Sequence, residues 1–322
     1  MRVDELKNKI LQLAIQGKLV PQDENDIPAS VLLEEIKKEK EQLIKEKKIK
    51  REKPLPEITE EEKPFEIPKG WEWVRFSQVL DVRDGTHDTP KYLEKGVPLI
   101  TSKNINGKEV DFNNVKYISM EDHIEISKRS NVENGDILFA MIGSIGNPVI
   151  VNKKEEFSIK NVALFKFYKK NIVNNKFLYY YLLLAQNDMK SNSKGAVQSF
   201  VSLKILREYI FPLPSVEEQQ RIVQKVDEIM AYLDELEKIE EEAKKELTKS
   251  LIEQLPQKVE DAIIEIKDLD VYGLVLGNIG TAIWASQSVI LGIICGVLLQ
   301  NNTTIMDDLV YGSILSVLLM VF

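Results

Sequence analysis

The apolar residues near the start of the chain recur at helical intervals. They run from Leu6 to Ala14 and stop at Gly17, so the sequence predicts a first helix that ends at the glycine. A second helix is predicted to begin near Ser30, whose hydroxyl is suited to accept from a free backbone N–H at a helix start. A proline-rich stretch, 54–68, then indicates a linker.

The pattern becomes mixed between 71 and 214. Three apolar runs rich in β-branched and aromatic residues predict strands at Val97–Thr101, Asp136–Ile142 and Val162–Phe167. The run Phe177–Gln186 is too long and apolar for a typical strand, so we predict a buried helix there. Strand and helix patterns in one segment predict a mixed α/β module.

A long helical pattern with an apolar seam follows Pro214. Steps of four and three residues separate its apolar positions, which is the spacing of a coiled coil. The predicted interface comprises Ile222, Val226, Ile229, Leu233, Leu236 and, further along, Leu247. One exposed helix cannot bury such a seam alone, so we expect a partner helix, either elsewhere in this chain or in a second copy.

The C-terminal tail differs in composition from the rest of the chain. Residues 271–306 contain no charged side chain, and Ile279–Leu299 is long enough to cross a bilayer core of about 30 Å. Three interpretations stay open: a membrane-inserting hairpin or single span, a buried pair of hydrophobic helices, and an out-of-frame or fused ending. The N-terminus has no apolar core of a signal peptide, so we expect a cytoplasmic protein, with membrane association of the 271–322 tail as one option.

Together the patterns predict an α+β chain with five parts. These are a helical N-terminal segment (1–53), a linker (54–68), a mixed α/β module (69–214), a long coiled-coil helix (215–256) and an apolar helical tail (257–322). The only cysteine, Cys295, excludes an intrachain disulfide.

Charge is distributed unevenly along the chain. The net charge is −8, yet residues 71–214 carry a net +4 and the acidic excess lies mainly in 215–322. A phosphate-binding face on the central module is therefore allowed but not required. The sequence has two histidines, no phosphate-binding loop and no dinucleotide fingerprint. We therefore expect no catalytic site, metal or cofactor in this chain.

Three polar loops of the central module carry side chains suited to contact DNA. Each loop contains Gly or Asn for tight backbone geometry and offers hydroxyl, amide or cationic groups that bond base edges or phosphates. The candidates are Arg83, Thr86, His87 and Lys91 in the first loop, Thr101, Ser102, Lys103 and Asn104 in the second, and Lys194, Gln198 and Ser199 in the third. The alternative is that residues such as Thr86 and His87 only stabilise turns.

Several phrases of the sequence carry a resemblance to a known family. They are Ile10–Gln22, Ile67–Val74, Asp84–Pro90, Thr101–Ile105, Gly135–Leu138, Gln198–Ser202 and Pro212–Val226. In this order they resemble the specificity (S) subunits of type I restriction-modification systems, over about residues 3–255. The resemblance implies that the module 69–214 is a target recognition domain, and that the long helix is the conserved coiled-coil region of the family.

The resemblance also implies a role. S subunits bind double-stranded DNA and carry out no chemistry, and their recognition domains read half-sites whose separation is set by the helical regions. Modification subunits, which methylate adenine with S-adenosylmethionine, and restriction subunits, which use ATP and Mg²⁺, assemble with them. By this implication the chain is a non-catalytic DNA-binding subunit of such a complex.

The chain also departs from the family pattern, because it has one recognition domain where S subunits typically have two. A faint repeat of the N-terminal apolar spacing occurs at 247–255 and then breaks at Pro256. We therefore expect a half-length S subunit that dimerises through its long helix and reads a symmetric, interrupted site. Two alternatives stay open: a silent specificity cassette that assembles poorly, and a membrane-tethered coiled-coil scaffold.

Overall fold

A computed structural model describes residues 3–169, 171–192 and 200–254, without the side chains of 192 and 247–254. The helices are α1 (Val3–Ile15), α2 (Ala29–Lys45), α3 (Phe76–Val79), α4 (Met120–Ser130), α5 (Asn175–Asn192), α6 (Leu203–Glu208) and α7 (Val216–Gln254). The strands are β1 (Glu72–Arg75), β2 (Leu80–Asp84), β3 (Val97–Ile100), β4 (Lys116–Ile118), β5 (Ile137–Ala140), β6 (Gly146–Ile150), β7 (Ser158–Ile159), β8 (Val162–Phe167) and β9 (Ile210–Leu213). Short 3₁₀ turns lie at Glu60–Glu62 and Ser102–Asn104.

The first and last strands of the module pair with each other. β1 and β9 form a two-stranded antiparallel sheet in which Glu72 faces Leu213 and Arg75 faces Ile210. Just outside this pair, the indole N–H of Trp71 donates to the carboxylate of Glu218 at 2.7 Å. The two ends of the module are therefore fastened together where the chain passes into α7.

Two further sheets build the module. The larger has the order β2-β8-β5-β6 and is antiparallel throughout, and the smaller has the order β4-β3-β7, with β3 and β7 parallel. β7 and β8 follow each other in sequence but belong to different sheets, so the turn between them, residues 160–161, joins the two sheets. This junction lies beside the predicted polar loops.

An aromatic cluster marks the centre of the main core. The ring of Phe76 packs against Phe165, Tyr181, Tyr209 and Phe211, with centroids 5.3–6.0 Å apart. The N-terminal helices share this core through buried apolar residues, namely Leu11, Ala14, Ile15, Ala29, Leu32 and Ile36. Residues up to 237 accordingly form one compact unit, and the helix from 238 onward belongs to another.

The predicted linker is fixed to the module by one arginine. The side chain of Arg75 is only 4% exposed. Its guanidinium donates to the carbonyls of Pro56, Glu57 and Glu208 and to the carboxylate of Glu62, at 2.7–3.2 Å. This set of bonds holds the extended connection against the strand β1.

The helices and strands predicted from the sequence within the described residues are present in the structure, with one difference in helix capping. The first helix ends before Gly17, which has a positive φ of 66°, as predicted, and the three predicted strands and the predicted buried helix are present as β3, β5, β8 and α5. The second helix starts near Ser30, as predicted, but the predicted cap was wrong: α2 begins at Ala29 with Pro28 as its cap residue, and Ser30 lies inside the helix. The sequence patterns did not predict β1 and β9.

Part of the predicted seam of α7 is buried within this chain. Ile222 and Val226 are fully buried in the main core, so these two side chains are removed from the predicted interface between copies. Tyr232 and Leu236, further along the helix, are 64% and 49% exposed. The seam stays a prediction for Ile229, Leu233 and Leu236, and the side chain of Leu247 lies outside the described residues.

The predicted apolar tail, 257–322, also lies outside the described residues. Within the part of the chain that the structure describes, none of the helices combines the length and apolar character needed to cross a membrane. Beyond residue 238, α7 carries exposed charged side chains, of which Lys244 and Glu240 form an ion pair at 2.6 Å.

Candidate nucleic-acid interface

The first polar loop, which follows β2, runs along the turn between β7 and β8. The backbone N–H of Gly85 donates to the carbonyl of Val162 at 2.9 Å, and that of Thr86 donates to Ile159 at 3.0 Å. A Cβ atom at position 85 would lie 2.2 Å from the Ile159 carbonyl oxygen. Glycine is therefore required here, because the two backbones approach too closely for any side chain.

His87 joins the loop to both neighbouring segments. Its Nε2 lies 2.8 Å from the carboxylate of Asp84, and its Nδ1 lies 2.8 Å from the side-chain oxygen of Asn161. Asp84 is only 3% exposed and also accepts from Arg129 of α4. We call the side chains of Asp84, His87, Arg129 and Asn161 the loop latch. The imidazole edge of His87 is 55% exposed, so it faces solvent while it holds the loop.

The second polar loop is brought to the same place. The hydroxyl of Ser102 donates to the carbonyl of Asn161 at 3.4 Å, and the N–H of Lys160 donates to Ile100 at 2.8 Å. Asn104 is buried, and its amide bonds the Thr101 hydroxyl at 2.9 Å and the carbonyl of Asp111 at 3.2 Å. Thr101 and Asn104 thus shape the loop from within.

Two of the predicted contact residues are exposed cations. Lys91 and Lys103 are exposed, and neither has a hydrogen bond or ion pair within residues 3–169, 171–192 and 200–254. Lys160, in the turn between β7 and β8, donates to the carbonyl of Asp88 at 3.0 Å and to the hydroxyl of Thr89. Lys91 and Lys103 therefore present positive charge that no ion pair neutralises within the described residues.

Arg83 occupies a different position from the loop residues. It lies on β2, bonds Asp81 through two guanidinium nitrogens at 2.5–2.8 Å, and donates to the carbonyl of Arg129 at 2.9 Å. Its side chain, 23% exposed, lines a cleft of about 700 Å³ beside the latch. Several donors of Arg83 are thus already used inside the protein.

Sequence reasoning missed three residues of this site: Arg129, Lys160 and Asn161. Lys160 and Asn161 form the turn between two strands, and Asn161 has a positive φ of 55°, which asparagine tolerates in such turns. An Asn between two apolar runs was the signal available in the sequence. The third predicted loop, with Lys194, Gln198 and Ser199, lies outside the described residues. Within the described ranges, no three His, Cys, Asp or Glu side chains are grouped as metal ligands.

Comparison with known proteins places these features in a family. The family described as "Type I restriction modification DNA specificity domain" matches residues 68–249. The chain is 39% identical over 259 residues to the type I restriction enzyme EcoAI specificity subunit of Escherichia coli, covering 75% of this chain and 42% of that protein. It is 58% identical over 78 residues to the EcoEI specificity subunit of Escherichia coli, covering 24% of this chain and 13% of that protein.

Two solved structures align with part of the chain at lower identity. A chain from a study of complex assembly and conformational transition of the type I R-M system aligns with a TM-score of 0.46 at 20% identity, over 77% of this chain and 54% of that one. The HsdS subunit from Thermoanaerobacter tengcongensis aligns with a TM-score of 0.43 at 19% identity, over 74% and 50%. This chain thus spans less than half the length of the curated EcoAI relative and about half the length of the two chains of known structure. Because the family match covers more than half of its residues, the protein belongs to the type I restriction-modification specificity family.

Proposed function

We propose that this chain binds duplex DNA in a sequence-dependent manner and acts as the recognition component of a type I restriction-modification complex. One observation carries the proposal: two polar loops, separated in sequence, meet at the 160–161 turn and expose Lys91 and Lys103 without neutralising partners. Family membership supports the same function. We call the loops 84–91 and 102–104 with the 160–161 turn the loop face.

The side chains of the loop face divide into three roles in this proposal. His87 positions the first loop, because both of its ring nitrogens bond Asp84 and Asn161, and the side-chain amide nitrogen of Asn161 is proposed to contact a base edge. Lys91 and Lys103 contact phosphates, which fixes register without reading sequence. Thr101 and Asn104 position the second loop, because their polar atoms bond each other and the loop backbone.

The chain is proposed to work through partners. The EcoAI and EcoEI relatives are specificity subunits by name. We propose that this chain likewise performs no chemistry, that modification subunits with S-adenosylmethionine methylate adenine, and that restriction subunits use ATP and Mg²⁺. These reactions require access to DNA, so we expect the assembled complex in the cytoplasm.

A second copy of the chain is proposed to supply the other recognition domain. The support is the exposed apolar surface of α7, where Tyr232 and Leu236 are 64% and 49% exposed one helical turn apart. Two such helices packed about a two-fold axis would bury these side chains and place two identical loop faces on one duplex.

The proposal is tested by co-expressing the full chain with its modification subunits and mapping methylated adenines across the genome. We expect one interrupted, symmetric motif. Lys103→Ala should weaken binding to all sequences about equally and reduce the slope of log affinity against log salt by about 1, since the lysine contacts phosphate. A changed methylated motif for this variant would contradict the phosphate role.

The same experiment separates the alternatives. A silent cassette forms no stable complex with modification subunits. A membrane-tethered scaffold sediments with membranes through its tail and co-purifies with no methyltransferase. A stable complex that methylates no motif would refute the proposed function.

A further inference from the structure

A cleft beside the loop face is lined mostly by charged side chains. We call it the basic cleft. Seven cationic side chains line it, Lys48, Lys50, Arg51, Arg83, Lys128, Arg129 and Arg207, against four anionic ones, Glu52, Asp81, Asp84 and Glu125. Cavities for small molecules are typically apolar with a few polar groups. The composition of this cleft, with its excess of positive charge, is instead that of an anion-binding surface.

Local structure at the end of α2 places one wall of the cleft. Lys47 adopts a positive φ of 59°, and the N–H of Lys48 donates back to Leu43 at 2.9 Å, which ends the helix and reverses the chain. Ile49 then packs against the main core. Lys50 and Arg51, which follow Ile49, line the cleft together with residues of β2 and α4.

Most of the cations in the cleft are already neutralised. Arg83 pairs with Asp81 at 2.5 Å, Lys128 with Glu125 at 2.5 Å, and Arg129 with Asp84. Arg207 lies 3.5 Å from Glu52.

Lys50 and Arg51 are the exception. Both are exposed, and neither has an ion pair or hydrogen bond within the part of the chain that the structure describes. Lys48 lies next to them and is paired with Glu46, which does not line the cleft. The excess positive charge of the cleft is therefore concentrated on the 50–51 segment, which belongs to the N-terminal region rather than to the family match at 68–249.

The cleft and the loop latch share two residues. Asp84 and Arg129 line the cleft and also belong to the latch that holds His87. A duplex whose bases meet the loop face would therefore bring its backbone to the neighbouring cleft. We propose that the basic cleft binds the phosphodiester backbone of DNA next to the recognised bases, with Lys50 and Arg51 as the phosphate contacts. This inference rests on the proposed function and adds a second contact region from outside the recognition domain.

The test compares two double variants of the full chain in DNA binding at several salt concentrations. Lys50→Ala/Arg51→Ala removes the unpaired cations of the cleft. Lys9→Ala/Lys38→Ala removes the same charge from exposed lysines that do not line it. Loss of two phosphate contacts should make the slope of log affinity against log salt less steep by about 1.8. The ratio of wild-type affinity to variant affinity should therefore fall about tenfold between 50 and 200 mM salt. The preferred sequence is expected to stay unchanged, and the control variant to keep the wild-type slope.

The outcomes separate the two proposals. Sequence-specific binding by wild type, with equal salt slopes for the cleft variant and the control, would overturn the cleft assignment and leave the proposed function standing. Absence of sequence preference in the wild-type protein would overturn the proposed function itself. A cleft variant that loses binding of labelled ATP but keeps the DNA salt slope would assign the cleft to a free nucleotide and overturn its role in DNA binding.

Discussion

The loop latch makes a quantitative prediction for Asp84→Ala. Asp84 is 3% exposed, and its carboxylate accepts two hydrogen bonds. One comes from His87 in the same loop, at 2.8 Å, and the other comes from Arg129 of α4. Hydrogen bonds to a charged group contribute about 1.5–3 kcal/mol each. Both donors are more than half exposed, at 55% and 56%, and recover water when the carboxylate is removed. We therefore expect a smaller loss of about 1 kcal/mol per bond, or about 2 kcal/mol of unfolding free energy in total.

Urea unfolding followed by tryptophan fluorescence measures this loss, because Trp71 and Trp73 lie at the start of the module. Asp88→Ala is the matched control: it removes an exposed carboxylate from the same loop and should change stability by less than about 0.5 kcal/mol. A double-mutant cycle of Asp84→Ala with His87→Ala should give a coupling energy of about 1 kcal/mol. A coupling near zero, or equal losses for Asp84→Ala and Asp88→Ala, would refute the latch.

Two further predictions concern the backbone crossing and the closure of the module. Gly85→Ala places a Cβ 2.2 Å from the Ile159 carbonyl oxygen, so it should lower the free energy of unfolding, measured by thermal unfolding, by about 1–3 kcal/mol. The variant should also discriminate less between DNA sequences. Discrimination equal to that of wild type would contradict the need for this close approach. Burial raises the pKa of Glu218 above its ordinary value of 4.5, so its contribution to stability is fully present below that pH and is lost as pH rises through the raised pKa. Glu218→Gln has no carboxyl group to ionise at this position. Between pH 4 and 7, the free energy of unfolding of the variant should therefore rise relative to that of wild type as pH rises. A difference that stays constant with pH would contradict the assignment.

The sequence predicted those elements whose pattern is local. β8 was predicted with its observed bounds because Val162–Phe167 is one apolar run, and α5 was predicted because its apolar run exceeds strand length. β1 was missed because only Trp73 and Val74 are apolar between the charged residues Glu72 and Arg75, and β9 was missed because Pro212 lies inside it. Proline argues against a strand in general, but a two-stranded sheet consists of edge strands, where proline is tolerated.

Packing between segments far apart in the chain could be predicted less well from the sequence. The apolar spacing of Ile222 and Val226 correctly indicated a buried face on α7, but a seam does not specify its partner, and here the partner is the core of the same chain. The polar phrases of the first two loops were found from composition. The two loops meet at Asn161 through contacts between segments 50 or more residues apart, which a local pattern does not show. Asn104 acts inside its loop because it is buried, and a polar residue type alone does not predict burial.

The central claim is that the loop face reads DNA sequence. The most direct measurement is sequencing of the duplexes that the full chain, together with its modification subunits, retains from a random DNA pool, for wild type and for His87→Ala. The account predicts one interrupted motif for wild type and weakened preference at specific positions of that motif for the variant. An unenriched wild-type pool, or an identical motif with identical preference in both proteins, would contradict it.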